Sequence, residues 1–167
     1  MRFGRTIDNI DGKILTIIQR NARTSNAEIA RQIGMAASGI LERIRKLEKC
    51  GVIQGYEARV NPKTLGLGLV AFVFVRTEER VGRTEAAKRL ARIPEVQEVH
   101  HVAGEDCYLV KVRAADPEAL GRLLRSRFGR IKSVRSTRTT IVLETVKETG
   151  RLPVMKHPGQ KVEDAGG

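Results

Sequence analysis

An α+β fold of two small domains is predicted by three features of the 167-residue sequence. Residues 7–51 place apolar side chains at helical spacing, residues 69–145 alternate short strand-like and helix-like runs, and an Asn61-Pro62 step with Gly66 and Gly68 lies between them. Proline restricts its predecessor to extended backbone, so 61–68 reads as a hinge. The predicted layout is a helical domain over 1–60, the hinge over 61–68, and a sheet domain over 69–149. A tail over 150–167, rich in proline, glycine and charge, reads as mobile.

In the first domain Ile10, Ile14, Leu15, Ile17 and Ile18 predict a helix within Ile7 to Arg23 behind Asp8. Ser25 starts a second helix, where Glu28 predicts a capping box in which each side chain satisfies an open backbone N–H. Ile29, Ala30 and Ile33 form its buried stripe, and Gly34 supplies a sharp turn. A third helix gathers Ile40, Leu41, Ile44 and Leu47 on one side and Ser38, Glu42, Arg45, Lys46 and Lys49 on the other. Helix, tight turn and a helix with a mostly basic outer face is the pattern of a helix-turn-helix, whose second helix enters the major groove. A helical hairpin with a solvated basic face is the plainer alternative. Val52 to Val60, strand-like but broken at Gly55, predicts a small wing, giving a winged helix-turn-helix.

Beyond the hinge, Leu69 to Val75 is apolar at every position and predicts a central strand. Thr84 to Ile93 follows as a helix stopped by Pro94; Val96 to Val102 and Cys107 to Val112 are strands joined by Ala103-Gly104-Glu105-Asp106. Asp116-Pro117 starts a helix with Leu120, Leu123, Leu124 and Phe128 inward, and Val134 to Thr145 closes as a strand. The order βαββαβ is the ferredoxin-like plan, with both helices on one face of an antiparallel sheet. The first strand is apolar on both faces, with Val70, Phe72 and Phe74 opposite Ala71, Val73 and Val75. A second apolar face in so small a domain implies a covering surface, and another copy of the chain supplies it: a homodimer is expected.

The net charge of +12 and a pI near 10.4 point to a polyanionic partner. No apolar run approaches bilayer length and the start lacks a secretory pattern, so a cytoplasmic protein without membrane association is expected. Cys50 and Cys107 lie far apart with no C-x-x-C pair, suggesting reduced packing thiols and no metal site. The enzyme alternative would rest on His100-His101 near Asp106 and Cys107. Adjacent strand residues point to opposite faces, however, and no nucleophile-base pair or phosphate loop accompanies them, so neither catalytic residues nor a cofactor are expected. RNA binding on the sheet would need exposed aromatics beside a basic motif, which Phe72 and Phe74 in an apolar strand do not supply.

This combination resembles the Lrp/AsnC (feast/famine) family of prokaryotic transcription regulators, from Ile7 to Glu148. In the first half the resemblance rests on Ile7-Asp8, Ile10-Asp11, Ile14-Leu15, Ser25-Asn26, Gly34, Leu41-Glu42-Arg43-Ile44-Arg45-Lys46-Leu47-Glu48 and Gly51-Val52-Ile53. In the second it rests on Val102-Ala103-Gly104, Tyr108-Leu109 and Thr137-Arg138-Thr139. It implies double-stranded DNA as a partner, a homodimer that can assemble into an octamer, and an amino acid or related effector bound near the middle hairpin. Carried over by position, the effector candidates are Val102, Gly104, Glu105, Asp106, Cys107 and Tyr108, with Thr137 and Thr139 as weaker ones. The family commonly has an aspartate immediately before the tyrosine, where this chain has Cys107 and Asp106 stands one position earlier. Glu105 or Asp106 would take a ligand ammonium; a plain polar hairpin is the alternative.

The DNA candidates are Asn26, Ser38, Glu42, Arg43, Arg45, Lys46 and Lys49. Ser38, Glu42 and Arg43 are the base-reading candidates, whereas Arg45, Lys46 and Lys49 suit phosphates, which position without reading sequence. Ala36-Ala37 stands where the family often caps the reading helix with serine, a loss worth about 1 kcal/mol unless Ser38 starts the helix later. Modest specificity, partly through DNA bending, is expected. Arg122, Arg125, Arg127, Arg130, Lys132, Arg135 and Arg138 form a further basic stretch with no acidic residue among them. It reads either as a solvated surface or as a guide for DNA wrapped on a larger assembly.

Overall fold

The structure, a computed structural model, describes residues 7–80, 83–104 and 106–154. Two compact units emerge, one drawn from residues up to Ala58 and from Glu148 onward, the other spanning Arg59–Lys147.

The helical unit contains α1 (Asn9–Arg20), α2 (Asn26–Ile33) and α3 (Ala37–Lys49). Ile14, Ile29, Ala30, Ile40, Ile44 and Leu47 are its buried core, and Val52 and Ile53 pack against it. Ser25 caps α2, its Oγ accepting from the Glu28 N–H at 3.2 Å. The reciprocal half of the expected box is replaced: Glu28 instead accepts from the Arg31 guanidinium and the Gln32 amide within its own helix. Gly34 ends α2 in the left-handed region at φ 80°, a conformation that glycine adopts at little cost. Ala36 is the N-cap of α3 and contributes no side-chain bond; Ser38 lies inside the first turn. The strand-like stretch Val52–Val60 forms no ladder, and Tyr56 donates its hydroxyl to Glu48 of α3 at 2.9 Å.

The sheet unit orders its strands β2-β3-β1-β4, all neighbours antiparallel: β1 (Leu69–Thr77), β2 (Val96–His101), β3 (Tyr108–Ala114) and β4 (Val134–Ile141). Helices α4 (Glu85–Leu90) and α5 (Pro117–Ser126) complete the βαββαβ order. Asp116 caps α5 by accepting from the Ala119 N–H at 2.7 Å, with Pro117 in the first turn, where its missing N–H costs nothing. Ala71, Val73 and Val75 of β1 join Tyr108, Val110 and Val112 of β3 and Leu90, Leu120 and Leu123 of the helices in one core. The opposite face carries Val70, Phe72 and Phe74, with Phe72 opposite Lys111 and Phe74 opposite Leu109. That second face is therefore apolar along β1 and mixed elsewhere: Glu98 and His100 of β2 lie beside Lys111 and Leu109, while Arg138 and Thr140 of β4 lie beside Phe74 and Phe72.

At the start of the tail, Gln19 of α1 donates its amide to the Leu152 carbonyl at 3.1 Å and accepts the Leu152 N–H at 2.7 Å. Residues 155–167 lie outside the described residues.

Candidate functional site

On α3, Ser38, Glu42, Arg45, Lys46 and Lys49 are all exposed, as the helical spacing requires once Ile40, Ile44 and Leu47 are buried. Glu42 and Lys46 form an i,i+4 pair at 2.7 Å, so Lys46 is partly neutralised while Arg45 and Lys49 extend the basic face. Asn26, half-buried, opens α2.

Arg43 departs from its expected role. Its Nη1 donates to Asp8 at 2.6 Å and to Asp11 at 2.8 Å, tying the start of α1 to the middle of α3. The arginine side chain is 25% exposed and that of Asp11 only 1%, so the pair forms a semi-buried clamp between the two helices. Asp8 also caps α1, accepting from the Asp11 N–H at 2.7 Å. That backbone bond first, and then the Arg43 hydrogen bond, overcome the desolvation penalty and hold the Asp8 carboxyl below its ordinary value of 3.8.

The second set of candidates gathers at the β2–β3 hairpin and then divides. Val102 donates its N–H to the Cys107 carbonyl at 3.0 Å, and Cys107 donates its own N–H to Val75 at 3.0 Å, closing the hairpin onto β1. The Cys107 thiol meets the Thr77 N–H at 3.5 Å, beside the register shift at Arg76/Thr77. Gly104 has φ 134°, a backbone that side-chain-bearing residues rarely adopt. Glu105 lies outside the described residues. Asp106 accepts from Arg138 Nη2 at 3.0 Å, and the same guanidinium lies 4.0 Å from the centroid of Phe74. A carboxylate, a guanidinium and an aromatic ring thus meet on the open sheet face.

Tyr108, Thr137 and Thr139 belong to the other face. Tyr108 is in the core, its hydroxyl directed at Glu79 at 3.4 Å; burial and then the Glu79 charge push that hydroxyl above its ordinary value. Glu79 also accepts from the Ala86 N–H at 2.8 Å and the Ser133 hydroxyl at 3.4 Å, so Tyr108 joins a structural network. Thr137 and Thr139 pair with Val75 and Val73, opposite in sense to Arg138. Arg138 and Phe74 are the residues missed as ligand candidates; strand parity across β1 and β4 is the signal that joins them.

The histidines separate as adjacent strand residues must. His100 bonds Glu98 at 3.1 Å on the open face, lowering that carboxyl, whereas the His101 ring lies 5.2 Å from Tyr108 on the helix-covered side. In the basic stretch, acidic partners from elsewhere reach three members: Glu118 pairs with Arg122, Glu78 with Arg135 and Asp106 with Arg138. Arg125, Arg127, Arg130 and Lys132 remain exposed.

Residues 7–54 match the family described as winged helix-turn-helix DNA-binding, and residues 70–152 match the Lrp/AsnC ligand binding domain. The leucine-responsive regulatory protein of Escherichia coli is 36% identical over 157 residues, covering 92% of this chain and 94% of that protein. Among solved structures, E. coli AsnC superposes with a TM-score of 0.82 at 30% identity, covering 90% of this chain and 100% of the other. The feast or famine regulatory protein of M. tuberculosis, complexed with L-methionine, gives a TM-score of 0.82 at 35% identity over 90% of this chain and 100% of the other.

Proposed function

The chain belongs to the Lrp/AsnC family of DNA-binding transcription regulators, and from that premise we propose that α3 reads double-stranded DNA while the sheet unit binds an amino acid or related small molecule that shifts assembly or DNA affinity. The observation that carries the DNA reading is the division of α3: Arg43 is turned inward as a clamp, leaving Ser38, Glu42, Arg45, Lys46 and Lys49 outward. Ser38 and Glu42 are then the base-reading candidates, and Arg45 and Lys49 the phosphate contacts. Asn26 contributes at the edge of the interface.

The effector reading is supported by the M. tuberculosis relative, solved with L-methionine, and by the meeting of Asp106, Arg138 and Phe74 beside Gly104. An amino acid needs a cation for its carboxylate and an anion for its ammonium. Arg138 and Asp106 offer both, paired with each other until a ligand separates them. Val102 and Cys107 shape the hairpin beside that pair. Such a ligand acts only through its differential affinity for two states of the protein.

A homodimer suits the open face, where Phe72, Phe74 and Leu109 form an apolar centre and charged side chains a frame. Octamers would follow by further association of dimers. No helix among the described residues is long and apolar enough to cross a membrane, and this reading assigns the protein to the cytoplasm, with no catalytic role.

The test is binding to the DNA upstream of the protein's own gene against scrambled DNA, titrated with salt, with sedimentation of the protein in parallel. Preferential, salt-steep binding by a species of at least dimer size is the expected result. Equal affinity for both DNAs would remove sequence-specific reading, and a monomer at micromolar concentration would remove the open face as a dimer surface.

A further inference from the structure

We propose that residues 148–154 form a strap that seats on the outer face of α1 and completes the DNA-binding unit, so that the C-terminal end of the described chain supports the reading helix. The chain leaves the helical unit at Ala58 and returns to it at Glu148, after the whole sheet unit has been built. Where it returns, Gln19 engages both polar groups of one peptide residue, donating to the Leu152 carbonyl at 3.1 Å and accepting its N–H at 2.7 Å. A side-chain amide offers one donor and one acceptor side by side, so it reads an extended backbone as a strand edge would. Pro153 favours extended backbone at Leu152, and the Arg151 N–H is held by Thr149 Oγ1 at 3.1 Å, which presents the segment in that form. Arg151 also donates to the Arg20 carbonyl at 3.5 Å, at the end of α1 where helix carbonyls lack partners.

A second feature of α1 fits the same segment. A Cβ built at Gly12 would lie 3.2 Å from Val154 Cγ1, so the missing side chain is what lets Val154 approach. Gly12 and Gln19 are seven residues apart, two helical turns, and share a face. Leu152 itself is 74% exposed, so the strap is held by its backbone and by Val154 rather than by burial of its largest side chain.

The consequence reaches the reader through the clamp. Asp8 and Asp11 of α1 hold Arg43 of α3, and α1 is the element that the strap steadies. Loss of the strap therefore loosens α1 and, through it, the orientation of α3. The existence of the strap is independent of ligand binding, but its consequence rests on the reading of this unit as DNA-binding.

The test compares the full chain, a chain ending at Lys147, and the full-length variants Gln19→Ala and Gly12→Leu. Gly12→Leu fills the seat of Val154 while favouring the helix, so a folding defect of α1 does not mimic the effect. Hydrogen exchange of peptides covering 9–20 is read against peptides covering 117–126 as the internal control, and DNA affinity is measured on the same samples. The expected result is exchange of α1 accelerated roughly three- to tenfold in all three altered proteins, as loss of one or two hydrogen bonds implies, with the control unchanged. DNA affinity should fall by about threefold alongside, a partial share of the same loss. Unchanged exchange over 9–20 in the truncated chain would overturn the strap, and faster exchange with unchanged DNA affinity would overturn its link to the reader. A full chain that binds no DNA counts against the DNA reading instead, and the exchange comparison still decides the strap.

Discussion

The two units of this chain solve the same stability problem differently. The sheet unit encloses its core with central strands and two amphipathic helices, including Phe128 and Tyr108 as large buried residues. Among the described residues the helical unit has an apolar core of six buried residues, and it adds a polar clamp, a capping serine and a backbone-held strap. A small unit has too little apolar surface to bury, so single polar contacts carry a larger share of its stability. The same substitution chemistry should therefore matter more in the helical unit than in the sheet unit.

Breaking the clamp is the largest test of that contrast. Arg43→Ala removes the guanidinium bonded to Asp8 and to the buried Asp11 and should destabilise the helical unit by about 2–3 kcal/mol, seen in denaturant titration followed by exchange over α1 and α3. Arg43→Lys should recover only part of it, because one ammonium replaces a planar fork. In the sheet unit the corresponding polar change, Tyr108→Phe, removes a 3.4 Å bond to Glu79 and should cost about 1 kcal/mol or less. Equal losses in the two units would contradict the contrast.

Adding a cap sharpens it from the other side. Ala36→Ser supplies the missing side-chain acceptor at the start of α3 and should stabilise the helical unit by about 1 kcal/mol, measured by thermal unfolding. Acid provides a related probe. Because the folded Asp8 carboxyl lies below its ordinary value of 3.8, its contribution is present above that pH and is lost as pH falls through the lower folded value. Asp8 is exposed, so the effect is small; Asp8→Asn should flatten the acid limb of the stability curve.

The smallest energetic effects fall on the outward face of α3. Arg45→Ala and Lys49→Ala should leave stability within about 0.5 kcal/mol while each lowers the salt slope of DNA binding by about one. Neutralising Arg125, Arg127 and Arg130 together should weaken long DNA fragments more than short sites. Equal loss on both would return that stretch to an ordinary solvated surface.

The helices and strands were legible because their signals are local: a stripe at Ile40, Ile44 and Leu47, a cap at Asp116, a turn at Gly34. The inward turn of Arg43 is not legible in the sequence, because its partners lie in another helix, at sequence separations of 35 and 32 residues. The Gln19–Leu152 contact is hidden for the same reason, since the two residues are 133 apart and neither shows apolar periodicity. At the hairpin, proximity in sequence misled. Tyr108 is adjacent to Cys107 yet serves the core, while Arg138, distant in sequence, reaches Asp106 across the sheet. Residue alternation assigns the faces, but only the register between β1 and β4 assigns the neighbours.

A link from ligand binding to DNA binding through the Asp106–Arg138 pair is tested by DNA fluorescence anisotropy at fixed salt, titrated with pools of the common amino acids. Asp106→Asn is compared with the natural chain. The expected result is an affinity shift with one pool in the natural chain and its loss in Asp106→Asn, with ligand-free DNA affinity unchanged. A shift that survives in Asp106→Asn, or no shift in the natural chain, would rule out that link.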